Sequence, residues 1–143
     1  MVITRIAGLM SYGEYYRWMD PPDLVIFWYD PSDGQVYHYE DLMNEFGYQS
    51  QDEILGSGAF IPMFKTDIIE LERQFIAGYK SKKLSKHFDS LSDDECHSEF
   101  SRLIHYEYIS PWTWGKFKRE HLYHDALEWC RENHIKFEDN YLD

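Results

Sequence analysis

The stretch Ser110–Phe137, SPWTWGKFKREHLYHDALEWCRENHIKF, limits what this chain can fold into more than any other. It holds three of the five tryptophans, and Ser110-Pro111 supplies a helix cap followed by a proline at the first turn. Leu122, Ala126, Trp129 and Cys130 recur at helical spacing. Side chains on a helix turn by about 100° per residue, so Phe117 lies about 140° from Leu122 on one continuous helix. That offset predicts two helical pieces meeting near Lys118–Glu120. Trp112, Trp114 and Phe117 would pack one way, and Leu122, Ala126 and Trp129 another. The other elements are small enough to need such a partner.

Upstream, Leu24–Tyr29 (LVIFWY) is six consecutive apolar residues, which predicts a strand covered on both faces. Asp30-Pro31-Ser32-Asp33-Gly34 is a turn, and Gln35–Tyr39 returns, so residues 24–39 form a β-hairpin. Tyr37 and Tyr39 are expected on one face of the return strand, Val36 and His38 on the other. Glu40–Phe46 predicts a short helix stopped by Gly47, and Ser50 with Glu53 has capping-box spacing before little more than one turn. Ala59–Phe64 predicts a third strand, placed at an edge because Pro62 cannot donate to a ladder. Residues 1–23 fit a short helix or a strand.

Helical signals dominate from Thr66 onward. Asp67 with Glu70 caps a helix whose apolar stripe is Ile68, Leu71, Phe75 and Tyr79. Ser81–Leu91 predicts a shorter helix with Leu84, Phe88 and Leu91 inward. Ser92 with Glu95 starts another, with Cys96, Phe100, Leu103 and Ile104 buried. The expected architecture is therefore a single α+β domain over residues 1–143. A small antiparallel sheet, made of the hairpin 24–39 and the strand 59–64, packs against helices from residues 66–135.

Charge separates the function classes. The net charge is −12, and residues 30–72 carry ten acids against one lysine. Such a chain repels phosphate backbones at long range, which disfavours nucleic acid. No apolar run approaches a membrane span, and the first residues do not form a signal peptide, so a cytoplasmic location is expected. Cys96 and Cys130 predict reduced core thiols in a cytosolic protein.

Motifs of catalysis are scarce. No GxSxG, P-loop, GxGxxG, HExxH or CxxC occurs, and no cofactor is implied. His121, His124 and Asp125 fall close together on a helix and form the one candidate metal cluster, for a metal-dependent hydrolase drawing a further acid from residues 30–53. Helical phase places His124 and Asp125 beside the apolar stripe, toward solvent, which favours a solvated helix face over a metal site. Lys80, Lys82, Lys83 and Lys86 form a basic island, a candidate contact for phosphate or nucleic acid. The competing reading has these lysines near a helix end, balancing its negative pole.

The hairpin with its Gly34 turn, Phe60-Ile61-Pro62, Glu72-Arg73-Gln74-Phe75-Ile76, Trp114 with Phe117, Ala126 with Trp129, and Glu132-Asn133-His134-Ile135 together resemble the bacterial uncharacterised protein family 0158. The resemblance spans residues 24–39 and 60–137. It implies this order of elements and no activity. The expected function is a non-catalytic module that binds another protein, a basic one by charge, through the acidic segment or the aromatic hairpin face.

Overall fold

In the computed structural model, which describes residues 2–79 and 81–141, the Asp30–Gly34 turn forms as its residues dictate. Asp30 Oδ1 accepts from the Ser32 amide at 2.8 Å, and the Gly34 amide donates to the Asp30 carbonyl at 2.8 Å. Gly34 takes φ 75°, a conformation a side chain would resist. In chain order the elements are β1 (Thr4–Arg5), α1 (Ile6–Met10), β2 (Glu14–Tyr15), β3 (Phe27–Asp30), β4 (Gln35–His38), α2 (Tyr39–Asn44) and α3 (Gln51–Ser57). There follow β5 (Ile61–Pro62), β6 (Thr66–Asp67), α4 (Ile68–Ala77), α5 (Lys82–Asp89), α6 (Asp93–His105), α7 (Pro111–Glu132) and β7 (Phe137–Glu138).

The turn fixes the register of an antiparallel sheet ordered β4-β3-β5, in which Trp28 opposes Tyr37 and Pro62, and Tyr29 opposes Val36 and Ile61. Both faces are covered, because adjacent residues point opposite ways. Trp28 packs with Leu42 of α2, Ile54 of α3 and Phe60 on one side. Tyr29 packs with Leu9, Met63, Trp129 and Cys130 on the other. β5 is an edge strand, as Pro62 requires, and its carbonyl accepts from Trp129 Nε1 at 2.9 Å. The fold is α+β, but of the C-terminal helices it is α7 that packs on this sheet, through Trp129 and Cys130; α4, α5 and α6, expected to cover the sheet too, pack instead with one another and with Trp114 and Phe117 of α7.

Several boundaries differ from the sequence expectation. Leu24–Ile26 lie outside the ladder. His38 Nδ1 accepts from the Glu40 amide and caps α2, which draws Tyr39 out of β4 and into the helix. Without a strand opposite, the Val25 amide donates instead to Gln51 Oε1 at 2.6 Å. The segment 1–23 contains both a helix and strands. Two short parallel pairs, β1 with β7 and β2 with β6, add ladders that the expected antiparallel sheet did not include. Tyr79 is 37% exposed, because α4 ends at Ala77 before the apolar stripe reaches it.

The largest correction concerns Ser110–Phe137. Residues 111–132 form one helix, α7, without a break at Lys118–Glu120. Its two apolar directions are real: Trp114 and Phe117 pack with Phe75, Phe88 and Phe100 of α4, α5 and α6, while Leu122 and Ala126 pack with Ile6 and Met10 of α1. Two cores lie against different sides of one helix, so the offset in phase needs no break. Trp112, expected to pack with the first group, is 69% exposed.

Candidate interaction surface

The sequence contains no Lys or Arg between Arg17 and Lys65. The hairpin, α2 and α3 all fall in that interval and pack around their own small core of Trp28, Leu42, Ile54 and Phe60. They form a lobe carrying Asp30, Asp33, Glu40, Asp41, Glu45, Asp52 and Glu53. All but Asp30 are exposed. Among the described residues no ion pair reaches any of the seven; the cations pair elsewhere, as Arg17 with Asp67 and Asp93, Arg102 with Glu99, and Lys118 with Glu14. Four of the seven, Asp30, Asp33, Glu40 and Glu53, accept from local donors instead. Asp33 accepts from the Tyr37 hydroxyl at 2.7 Å, and Glu53 accepts from the Gln49 amide at 3.1 Å.

Apolar side chains interrupt this charge. Phe46 is 51% exposed while its ring lies edge-on to Tyr37 and Phe60 at 5.5 and 5.9 Å. Leu55 on α3 is 56% exposed, one residue after the fully buried Ile54. The aromatic hairpin face itself is mostly covered, since Tyr37 packs against the lobe's core.

The candidate metal residues do not come together on shared partners. His121 Nδ1 lies 3.0 Å from the Phe117 carbonyl and its ring rests on Phe117. His124 is exposed beside Tyr123. Asp125 Oδ2 accepts from the Thr66 hydroxyl at 2.6 Å. Among the described residues no group of three or more His, Cys, Asp or Glu is arranged to hold a metal ion.

In the basic island, Lys80 lies outside the described residues. Lys82, Lys83 and Lys86 are exposed along α5. Ser81 caps that helix by accepting from the Leu84 amide, so Lys82 and Lys83 occupy its first turn, the positive end. Only Lys86 sits where the dipole favours a cation. Cys96 and Cys130 are fully buried, and burial pushes both thiols up to about 11.

One polar pair was absent from the sequence reading. Glu72 of α4 is 1% exposed, and its Oε2 lies 2.7 Å from His97 Nδ1 of α6. Burial raises its carboxyl above the usual range, against the opposing pull of His97, Lys118 and Arg73. The signal was available: Glu72 is four residues from both Ile68 and Ile76, on the buried side of α4.

Compared with protein-family models, with curated proteins and with solved structures, the chain matches none. Among the described residues no helix is long and apolar enough to cross a membrane.

Proposed function

We propose that this protein is a non-catalytic cytoplasmic module that binds a basic protein partner through the lobe formed by the hairpin, α2 and α3. The observation that carries this reading is a set of seven carboxylates, unpaired with any cation among the described residues, on the lobe that also exposes Phe46 and Leu55. A single-sign surface accelerates encounter with an oppositely charged partner, and the apolar side chains supply the desolvated contact that slows release. Aromatic residues are enriched at such contacts.

The test uses the immobilised chain and native cell lysate. A basic protein should be retained at low salt and released by about 0.5 M salt, where screening acts over roughly 4 Å. The Glu45→Lys, Asp52→Lys double variant and the Phe46→Ala variant should each lose it, whereas Lys82→Glu, Lys83→Glu should retain it. Equal retention by the wild type and the lobe variants would refute the assignment.

A further inference from the structure

The residues before Phe27 lie outside the ladder and are held by side chains instead. Lys65 Nζ donates to the carbonyls of Pro22 and Leu24 at 3.1 and 2.8 Å, and Gln51 Nε2 donates to the Asp23 carbonyl at 2.8 Å. Tied in this way, the segment leaves a pocket of about 170 Å³, lined also by residues 12–15 and by Met63 and Phe64. That volume is below the range of sites for drug-sized ligands. It is close to the roughly 150 Å³ of an apolar cavity that takes one benzene ring.

The pocket's chemistry narrows what would fill it. Val25, Ile26, Phe27, Met63 and Phe64 give it apolar walls. Tyr12 meets Phe27 edge-on at 5.1 Å, an arrangement that a further ring can join. Three charged residues line it: Glu14, Asp20 and Lys65. Glu14 is answered by Lys118 at 2.9 Å. The Asp20 carboxylate makes no hydrogen bond or ion pair among the described residues. Lys65 spends two of its three ammonium donors on the Pro22 and Leu24 carbonyls, which leaves one. Lys65 is exposed and Asp20 is half-buried, so a molecule entering from solvent can reach both. They line one pocket without pairing with each other, which leaves them for opposite ends of one molecule.

We infer that the pocket lined by Asp20, Phe27 and Lys65 binds a free amino acid with a single apolar ring. Its α-ammonium donates to Asp20, its α-carboxylate accepts from Lys65, and its ring lies against Phe27, Met63 and Phe64. A ligand with either charge alone would leave Asp20 or Lys65 unanswered. None of the lobe's seven carboxylates lines the pocket, so the site does not depend on the partner proposed there.

The experiment is calorimetric titration with L-phenylalanine at about 0.15 M salt, which screens the acidic lobe. Saturable one-to-one binding is expected. Phenethylammonium, which lacks the carboxylate, and 3-phenylpropionate, which lacks the ammonium, should each bind more weakly by roughly tenfold or more. Asp20→Asn removes a charge that holds no other part of the chain, so the variant should fold as the wild type does. It should weaken L-phenylalanine by a similar factor and leave 3-phenylpropionate unchanged, a split that a merely structural role for Asp20 would not produce. The inference is overturned by no saturation up to about 10 mM, by equal binding of L-phenylalanine and either singly charged analogue, or by an Asp20→Asn variant that binds L-phenylalanine as the wild type does.

Discussion

Glu120 sits at the point where the phase offset predicted a break and where α7 instead continues. The residue is exposed, so substituting it tests the backbone rather than a side-chain contact. Glu120→Pro removes one helical hydrogen bond and sets the proline ring against the Lys116 carbonyl, four residues back. In a helix interior this costs about 3 kcal/mol. The 22-residue helix is about 33 Å long, and the substitution falls between its two packed stretches. A kink there would pull Trp114 and Phe117 away from Phe75 and Phe100 if Leu122 and Trp129 stayed docked, so 3 kcal/mol is the lower bound. Glu120→Gly should cost about 1 kcal/mol relative to Glu120→Ala, which should be near neutral. The assay is urea unfolding followed by circular dichroism. With a slope of about 2 kcal/mol per molar, the proline variant's midpoint should fall by about 1.5 M and the glycine variant's by about 0.5 M. A proline variant within about 0.5 M of the wild type would refute the continuous helix and restore two pieces with a joint at this position.

Two further outcomes follow from other contacts. A Cβ added at the buried Gly13 would stand 1.9 Å from Phe64 Cε2, so Gly13→Ala should destabilise by about 1–3 kcal/mol in urea unfolding. Phe64→Leu should recover part of that loss, giving a double variant whose cost is less than the sum of the singles. Arg17 grips Asp93 with Nε at 2.7 Å and a second nitrogen at 2.9 Å, and also reaches Asp67. Both partners are about a third exposed, so Arg17→Ala should cost about 1 kcal/mol at neutral pH. Arg17 and then Arg73 hold the Asp93 carboxyl below its usual range. A depressed folded value gives stability that is present above the unfolded value of about 3.9 and is lost as pH falls through the folded one. The gap between wild type and Arg17→Ala, measured by thermal unfolding, should therefore close on acidification below about pH 4.

What the sequence made legible was local chemistry. Ser50, Asp67, Ser81, Ser92 and Ser110 all cap the helices they were expected to start, because a cap is decided within four residues. The hairpin turn followed from Asp30, Pro31 and Gly34 for the same reason. The edge position of Pro62 followed from a missing donor. The continuity of α7 was not legible: phase shows which way each side chain faces, but not that two separate cores await it. The parallel ladders were equally hidden, since Thr4 and Arg5 carry no mark of a partner at Phe137 and Glu138. At the candidate surface, the acidity of residues 30–53 was plain in the composition. The exposure of Phe46 and Leu55 was not, because it depends on where two short helices end and turn. Glu72 and His97 come from helices that only tertiary packing brings together.

The pairing of β1 with β7 has a consequence for how the chain is made. Thr4 donates to the Lys136 carbonyl through its amide and shares a hydrogen bond with the Tyr29 hydroxyl through its side chain. Ile6, Leu9 and Met10 bury against α7 and its neighbours. During synthesis these residues leave the ribosome well before the segment that shelters them and must wait for it. Closing a loop of roughly 130 residues costs about 3 kcal/mol more entropy than closing a five-residue hairpin turn. The hairpin and the helices α4 to α6 can therefore assemble first, while the N-terminal stretch stays solvent-exposed. Its apolar residues are then a temporary target for chaperones, and the closing of β1 onto β7 is the late step that withdraws them.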